Sequence, residues 1–112
     1  MPTHDPRLCL VQMHEHAAEA VALIQGKTRE SLDKERVLSL ALVRLLEVAG
    51  EAANRVGRET QTKYSEIPWQ SLISMRNRLI HGYDSVDHDI LWQVLSGDLP
   101  PMVAALEKIL AT

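Results

Sequence analysis

Apolar residues recur every three or four positions along most of the chain, the spacing that gathers them on one side of an α-helix. Asp5 and Pro6 pair an N-cap residue with a proline suited to a first helical turn. Leu10, Met13, Ala17, Val21 and Ile24 then keep the spacing and predict a helix running to Gly26. The polar stretch KTRESLDKER reads as a connection. From about Asp33 to Val56 two apolar stripes lie side by side, one of Val37, Ala41, Leu45, Val48, Ala52 and Val56, the other of Leu38, Leu42, Leu46 and Ala49. An apolar arc that wide is open to two readings: a central helix of a bundle, or a helix that faces its own core on one side and a second subunit on the other. Gly57 ends this helix, and RETQTKYSE is the longest polar connection.

Pro68 opens a third helix whose apolar side is Trp69, Leu72, Ile73, Met75, Leu79 and Ile80, with Gly82 placed to terminate it. Asp87 can cap a fourth, carrying Ile90, Leu91, Val94 and Leu95. Gly97 and Asp98 break that pattern; Pro100, Pro101 and the series Val103, Leu106, Ile109 and Leu110 predict a last helix. No segment alternates with a period of two for long enough to suggest a sheet. The expected fold is all-α, an up-and-down bundle of about four to five helices in one domain over residues 1–112.

Composition sharpens this picture. Hydrophobic residues make up 46% of the chain and charged residues 24%, a globular balance, and with no Phe the core must come from Leu, Val, Ile, Ala and Met. A net charge of −3 argues against non-specific coating of nucleic acid, which needs many Lys and Arg contacts to phosphate, but leaves room for a small local basic site. Cys9 is the single cysteine, so no disulfide forms within the chain; it reads as an apolar helix residue. The opening MPTHDPRLCLVQ lacks a basic region followed by an apolar run, and no stretch approaches the ~20 apolar residues that span a bilayer. The expectation is a cytoplasmic protein with no membrane association.

Against this apolar background, RNRLIHGY at residues 76–83 stands out. It falls at the C-terminal end of the third helix. Asn77 and His81 are four apart and share a face, Arg76 adjoins them, and Tyr83 follows the glycine. Arg supplies a planar, permanent cation that suits phosphate, and His, with an ordinary pKa of ~6.5, exchanges a proton near neutrality. Those two groups suffice to cleave RNA without a metal: one removes the proton of a 2′-hydroxyl, which attacks its own phosphodiester, and the other stabilises the charge growing on the phosphoryl oxygens. The plainer reading is a histidine at a helix C-terminus making a favourable dipole contact and an arginine making a surface ion pair.

Arg76, His81 and Tyr83 also fit the pattern R-x4-H-x-Y, and they are accompanied by the segments LLEVAGEAANRVG, IPWQSLISMRNRLIHGY and VDHDILWQVLSGDLPPMVAALEKIL. In these features the chain resembles the HEPN superfamily and, within it, the HepT-like toxins, from about residue 7 to 110. The resemblance implies an all-helical homodimer in which two copies of the motif meet in a cleft. It implies a metal-independent endoribonuclease, the toxin of a toxin–antitoxin pair, with no cofactor. Its partner would be an MntA-like minimal nucleotidyltransferase that neutralises it by transferring AMP from ATP to the motif tyrosine. On that basis Arg76 and His81 are the expected catalytic pair, Tyr83 the modification site, and Asn77, Arg78 and Glu51 supporting residues. The competing function class is a non-catalytic helical module that binds a nucleotidyltransferase or a nucleotide.

Other residues have plainer readings. His14, Glu15 and His16 lie too close in sequence to share a helix face, and no HExxH or ExxH spacing occurs, so no metal site is expected. Glu47 and Glu51 either pair with Arg76 or Arg78 across the bundle or form an ordinary solvated face. Trp69 and Trp92 read as core anchors, and Gly50 as a point of close backbone approach.

Overall fold

A computed structural model describes residues 5–82 and 86–112. Among them the chain is helical throughout and has no strand: α1 (Pro6–Leu23), α2 (Ser31–Lys34), α3 (Arg36–Arg55), α4 (Arg58–Lys63), α5 (Trp69–His81), α6 (His88–Gln93) and α7 (Leu99–Leu110), with a π-helical turn over Val94–Asp98 joining α6 to α7. The all-α bundle expected from the periodicity is the fold observed. Its four longer helices pack in the order α7, α1, α3, α5. Arg7 Nη2 donates to the carbonyl of Leu110 near one end of the α1/α7 contact, and His14 meets Glu107 further along, so these two helices run antiparallel.

Local chemistry explains the helix ends. The Asp5 carboxylate accepts from the Arg7 amide at 2.9 Å with Pro6 in the first turn, and Asp87 caps α6 by accepting from the amides of Asp89 at 2.8 Å and Ile90 at 3.2 Å. Gly26 and Gly57 hold φ of 76° and 93°, a region that side-chain-bearing residues rarely enter, and so turn the chain after α1 and α3. α1 stops at Leu23 rather than Gly26, although Ile24 remains buried.

Three segments differ from expectation. KTRESLDKER contains α2, one helical turn whose single apolar residue, Leu32, is 1% exposed; one anchor is too few to show a period. RETQTKYSE contains α4, which buries nothing and leaves no apolar stripe to read; Gln61 Nε2 ties it to the Ala53 carbonyl at 3.1 Å. Gly97 and Asp98 do not end the helix before them. The turn widens there, with the Leu99 amide donating five residues back to Val94, so both Leu95 and Leu99 stay in the core while Gly97 and Asp98 face outward. Pro100 and Pro101 lack amide hydrogens and sit in the first turn of α7, where none is needed.

The core is aliphatic, as the composition requires: Met13, Ala17 and Ala20 from α1, Leu42 and Leu46 from α3, Leu72 and Leu79 from α5, and Leu95, Leu99, Met102 and Leu106 from the C-terminal third. Trp69 is a core anchor, its indole nitrogen donating to the Tyr64 carbonyl at 3.0 Å, whereas Trp92 is half-buried and packs on the core's edge. Buried Cys9 has its thiol pKa pushed up, chiefly by burial, which suits an inert apolar residue. Burial of the wide arc on α3 changes along its length. Ala52 and Val56 belong to the core, Ala41, Leu45 and Val48 are half-buried, and at the N-terminal end Val37 is 81% and Leu40 54% exposed. No helix among the described residues is long and apolar enough to cross a membrane.

Candidate functional site

The last two turns of α5 carry Arg76, Asn77, Arg78 and His81, and the position of Arg76 is set from α3. A Cβ added to Gly50 would overlap the Arg76 Cβ and come within 2.9 Å of the Leu72 carbonyl oxygen. The absence of a side chain at residue 50 therefore lets the stem of Arg76 lie against the α3 backbone. From there the guanidinium reaches Glu51: Nη2 donates to Glu51 Oε2, while Nη1 donates to Asn77 Oδ1 at 2.7 Å. Glu51 Oε1 in turn accepts from Arg55 Nε at 2.9 Å, which fixes the carboxylate from its far side. The Arg76 side chain is only 22% exposed, and its buried Nε has no hydrogen-bond partner among the described residues.

Asn77 does more than fill a polar position. Arg76 and His81 are five residues apart, about 140° around a helix of 3.6 residues per turn, so their Cα–Cβ bonds diverge. Asn77 shares a face with His81 and accepts from Arg76 Nη1, so it contacts the guanidinium from that side of the helix. His81 is the last residue of α5 and is exposed, and no described residue hydrogen-bonds its ring. The outcome is a fixed cation and an exposed imidazole on the last two turns of one helix. Tyr83 lies outside the described residues.

The model of the ribonuclease HepT-like family matches residues 13–109, nearly the whole chain and all of α5. The chain belongs to the ribonuclease HepT-like family. It is similar to "Probable ribonuclease HepT" of Thermococcus cleftensis, with 34% identity over 99 residues that cover 85% of this chain and 90% of that one. It is also similar to "Putative RNase TTE0752" of Caldanaerobacter subterraneus subsp. tengcongensis, with 31% identity over 105 residues that cover 94% of both. No solved structure matches the chain significantly. The expected enzyme class, a ribonuclease, is the one the family description carries.

The residues expected to support the pair separate in this HepT-like fold. Asn77 and Glu51 both touch Arg76. Arg78 is two residues from Arg76 and so on the opposite side of α5 from it; it lines a cavity between α5 and α6 and a second hollow with Ser71, Ser74 and Val94. Glu47 pairs with neither motif arginine; its carboxylate is 4.0 Å from Arg44, one turn away on its own helix. The histidines near the N-terminus diverge: His14 Nε2 is 3.1 Å from Glu107, and His16 Nδ1 is 2.8 Å from the carbonyl of Gln12.

Sequence reasoning missed a second polar cluster entirely. His88 Nδ1 is 2.7 Å from Asp33 Oδ1 and its Nε2 is 3.3 Å from Ser39 Oγ. Arg29 bridges the same region, donating to Asp33 Oδ2 at 2.7 Å and to Asp89 Oδ1 at 2.6 Å. Hydrogen bonds from His88 and then Arg29 hold the Asp33 carboxyl below its ordinary pKa, and hydrogen bonds to Asp89 and then Asp33 raise that of Arg29. In outline Ser39, His88 and Asp33 are ordered like a serine-hydrolase triad. The Ser39 amide, however, is spent in the helix, donating to Glu35 at 3.0 Å, so it cannot stabilise an oxyanion. The cluster ties α2 and α6 onto the start of α3.

Proposed function

We propose that this protein is the toxin of a toxin–antitoxin pair, a cytoplasmic endoribonuclease that cuts RNA without a metal. His81 accepts the proton of a 2′-hydroxyl. The oxygen then attacks its neighbouring phosphorus, the bond to the 5′-oxygen breaks as a 2′,3′-cyclic phosphate forms, and that oxygen leaves with the proton His81 took, returned directly or through water. Arg76 neutralises the charge that gathers on the non-bridging oxygens in between. The observation that carries the reading is the guanidinium of Arg76, held by Glu51 and Asn77, on the same two helical turns as the exposed His81. A cation fixed before the substrate arrives costs no reorganisation during the reaction, whereas an exposed proton-transfer group needs room for the strand.

The active form in this proposal is a homodimer. Val37 and Leu40 on α3, and Ile80 at 42% exposure on α5 between Arg76 and His81, are large apolar groups that the chain leaves uncovered. Pairing through them would set two motif copies around one cleft. Inactivation is assigned to AMP transfer onto Tyr83 by a minimal nucleotidyltransferase, which would add a bulky, negatively charged group two residues after His81 that competes for the cation RNA needs.

The test is cleavage of total RNA by the purified chain in saturating EDTA, alongside the His81→Ala and Arg76→Lys variants. Cleavage by the wild type alone is expected, from a particle whose light-scattering mass is twice that of the chain. Undiminished cutting by both variants would remove the nuclease mechanism in favour of a non-catalytic module. After incubation with the nucleotidyltransferase and ATP, peptide mapping should find the adenylyl mass on Tyr83 and none on Tyr83→Phe.

A further inference from the structure

α5 and α6 pack sparsely, and between them lies a cavity of about 230 Å³. Its walls are aliphatic: Met75 and Leu79 from α5, and Val86, Ile90 and Leu91 from the chain that follows. Leu79 and Leu91 are 2% and 0% exposed and form the floor. Two charged residues join them, Arg78 and Asp87, and Asp87 is already committed to capping α6. Arg78 is exposed, and no carboxylate among the described residues pairs with it. His81 lies one turn beyond Arg78 on the same helix, so the two side chains are neighbours.

We propose that this cavity receives one unpaired nucleobase of the RNA strand cut at His81, with the Arg78 guanidinium laid over the base. The proposal rests on the ribonuclease reading and deepens it by naming how the substrate is held. The cavity is smaller than the ~300–1,000 Å³ sites that enclose drug-sized ligands, and its scale suits one planar ring system. Its lining gives water few hydrogen-bond partners, so filling it with the faces of a base releases poorly held solvent. Proteins that read single-stranded RNA take splayed-out bases onto aromatic or guanidinium surfaces, and an exposed Arg78 over an aliphatic floor offers such a surface. The strand therefore binds across the end of α5, its phosphate at Arg76 and His81 and a flanking base on the Arg78 side. Duplex RNA, whose bases are stacked and paired, is excluded.

The experiment uses the full chain with methyl-labelled Leu, Val and Ile, titrated with a 2′-O-methyl oligonucleotide, which lacks the attacking hydroxyl and cannot be cut. Shifts at the methyls of Leu79, Val86, Ile90 and Leu91 are expected. They should vanish with an abasic version of the same oligonucleotide, whose affinity should be roughly ten-fold lower given the usual worth of base stacking. Arg78→Ala should lose a similar factor. Ile90→Trp, which fills the cavity, should abolish the shifts and relax the nucleotide preference read from the ends of cleaved RNA. Equal affinity for the abasic strand, or cavity methyls that stay still while the Ile80 methyls beside the motif move, would overturn the proposal; because these readouts are taken on wild type, a variant that fails to fold does not obscure them. If the wild type cuts no RNA yet the cavity methyls respond only to strands that carry bases, the ribonuclease reading falls and the base site stands.

Discussion

At His88 both ring nitrogens are engaged, by Asp33 at 2.7 Å and by Ser39 at 3.3 Å; at His81 no described residue hydrogen-bonds the ring. Each set includes a histidine, an arginine and a carboxylate, so residue types alone do not distinguish the two. Their wiring does. In the first, Arg29 and His88 converge on the same carboxylate, Asp33, and every strong charge is answered within the protein. In the second, Glu51 and Asn77 hold the cation, and no described residue holds the imidazole. A ring bonded on both sides fastens helices; in the function proposed above, the ring without such bonds is the one that moves a proton.

The largest expected effect separates the clusters by activity. His81→Ala should lower RNA cleavage by roughly 10²–10⁴-fold, the usual worth of a general acid–base group, and should leave the thermal midpoint almost unchanged because the ring is exposed. Gly50→Ala comes next. Its new methyl meets Arg76 and the Leu72 carbonyl, and the forced separation of α3 and α5 should cost about 1–3 kcal/mol in denaturant unfolding and lower cleavage as well. Glu51→Gln keeps the shape but removes the charge that holds Arg76, and a loss of roughly ten-fold in kcat is expected, about 1.4 kcal/mol. An unchanged kcat there would mean that Asn77 alone suffices to hold the guanidinium.

The smaller effects belong to the other cluster. His88→Ala should cost about 1 kcal/mol of stability, the net worth of a hydrogen bond, while cleavage continues at the wild-type rate. A collapse of activity in that variant would erase the distinction drawn between the two histidines. The smallest effect is on the acid side. The Asp33 carboxyl ionises more readily in the folded chain than its ordinary value of 3.8, so the stability it contributes is present above that value and is lost as pH falls through the lowered folded value. The thermal midpoint of the wild type should therefore fall more steeply than that of Asp33→Asn as the solution is acidified through this range. Parallel acid limbs for the two proteins would show that Asp33 contributes nothing to the pH dependence.

The sequence by itself determined what lies within one helix: the caps at Asp5 and Asp87, the long helices read from their three- and four-residue spacing, and the placing of Asn77 and His81 on one face of α5. These follow from backbone geometry that repeats every 3.6 residues and needs no knowledge of neighbours. Gly50 was legible in part, because a glycine inside an apolar helix signals close approach without saying what approaches. α2, α4 and the continuation through Gly97 were not legible, since segments that bury one residue or none leave no period to detect. Only the tertiary structure decided which glutamate meets Arg76, that Asp33 and Ser39 close on His88 from far along the chain, and that Arg78 turns from the motif toward a cavity. Those outcomes depend on how closely and at what rotation two helices pack, which is set by the whole core, and a shift of one residue in either helix exchanges one partner for another.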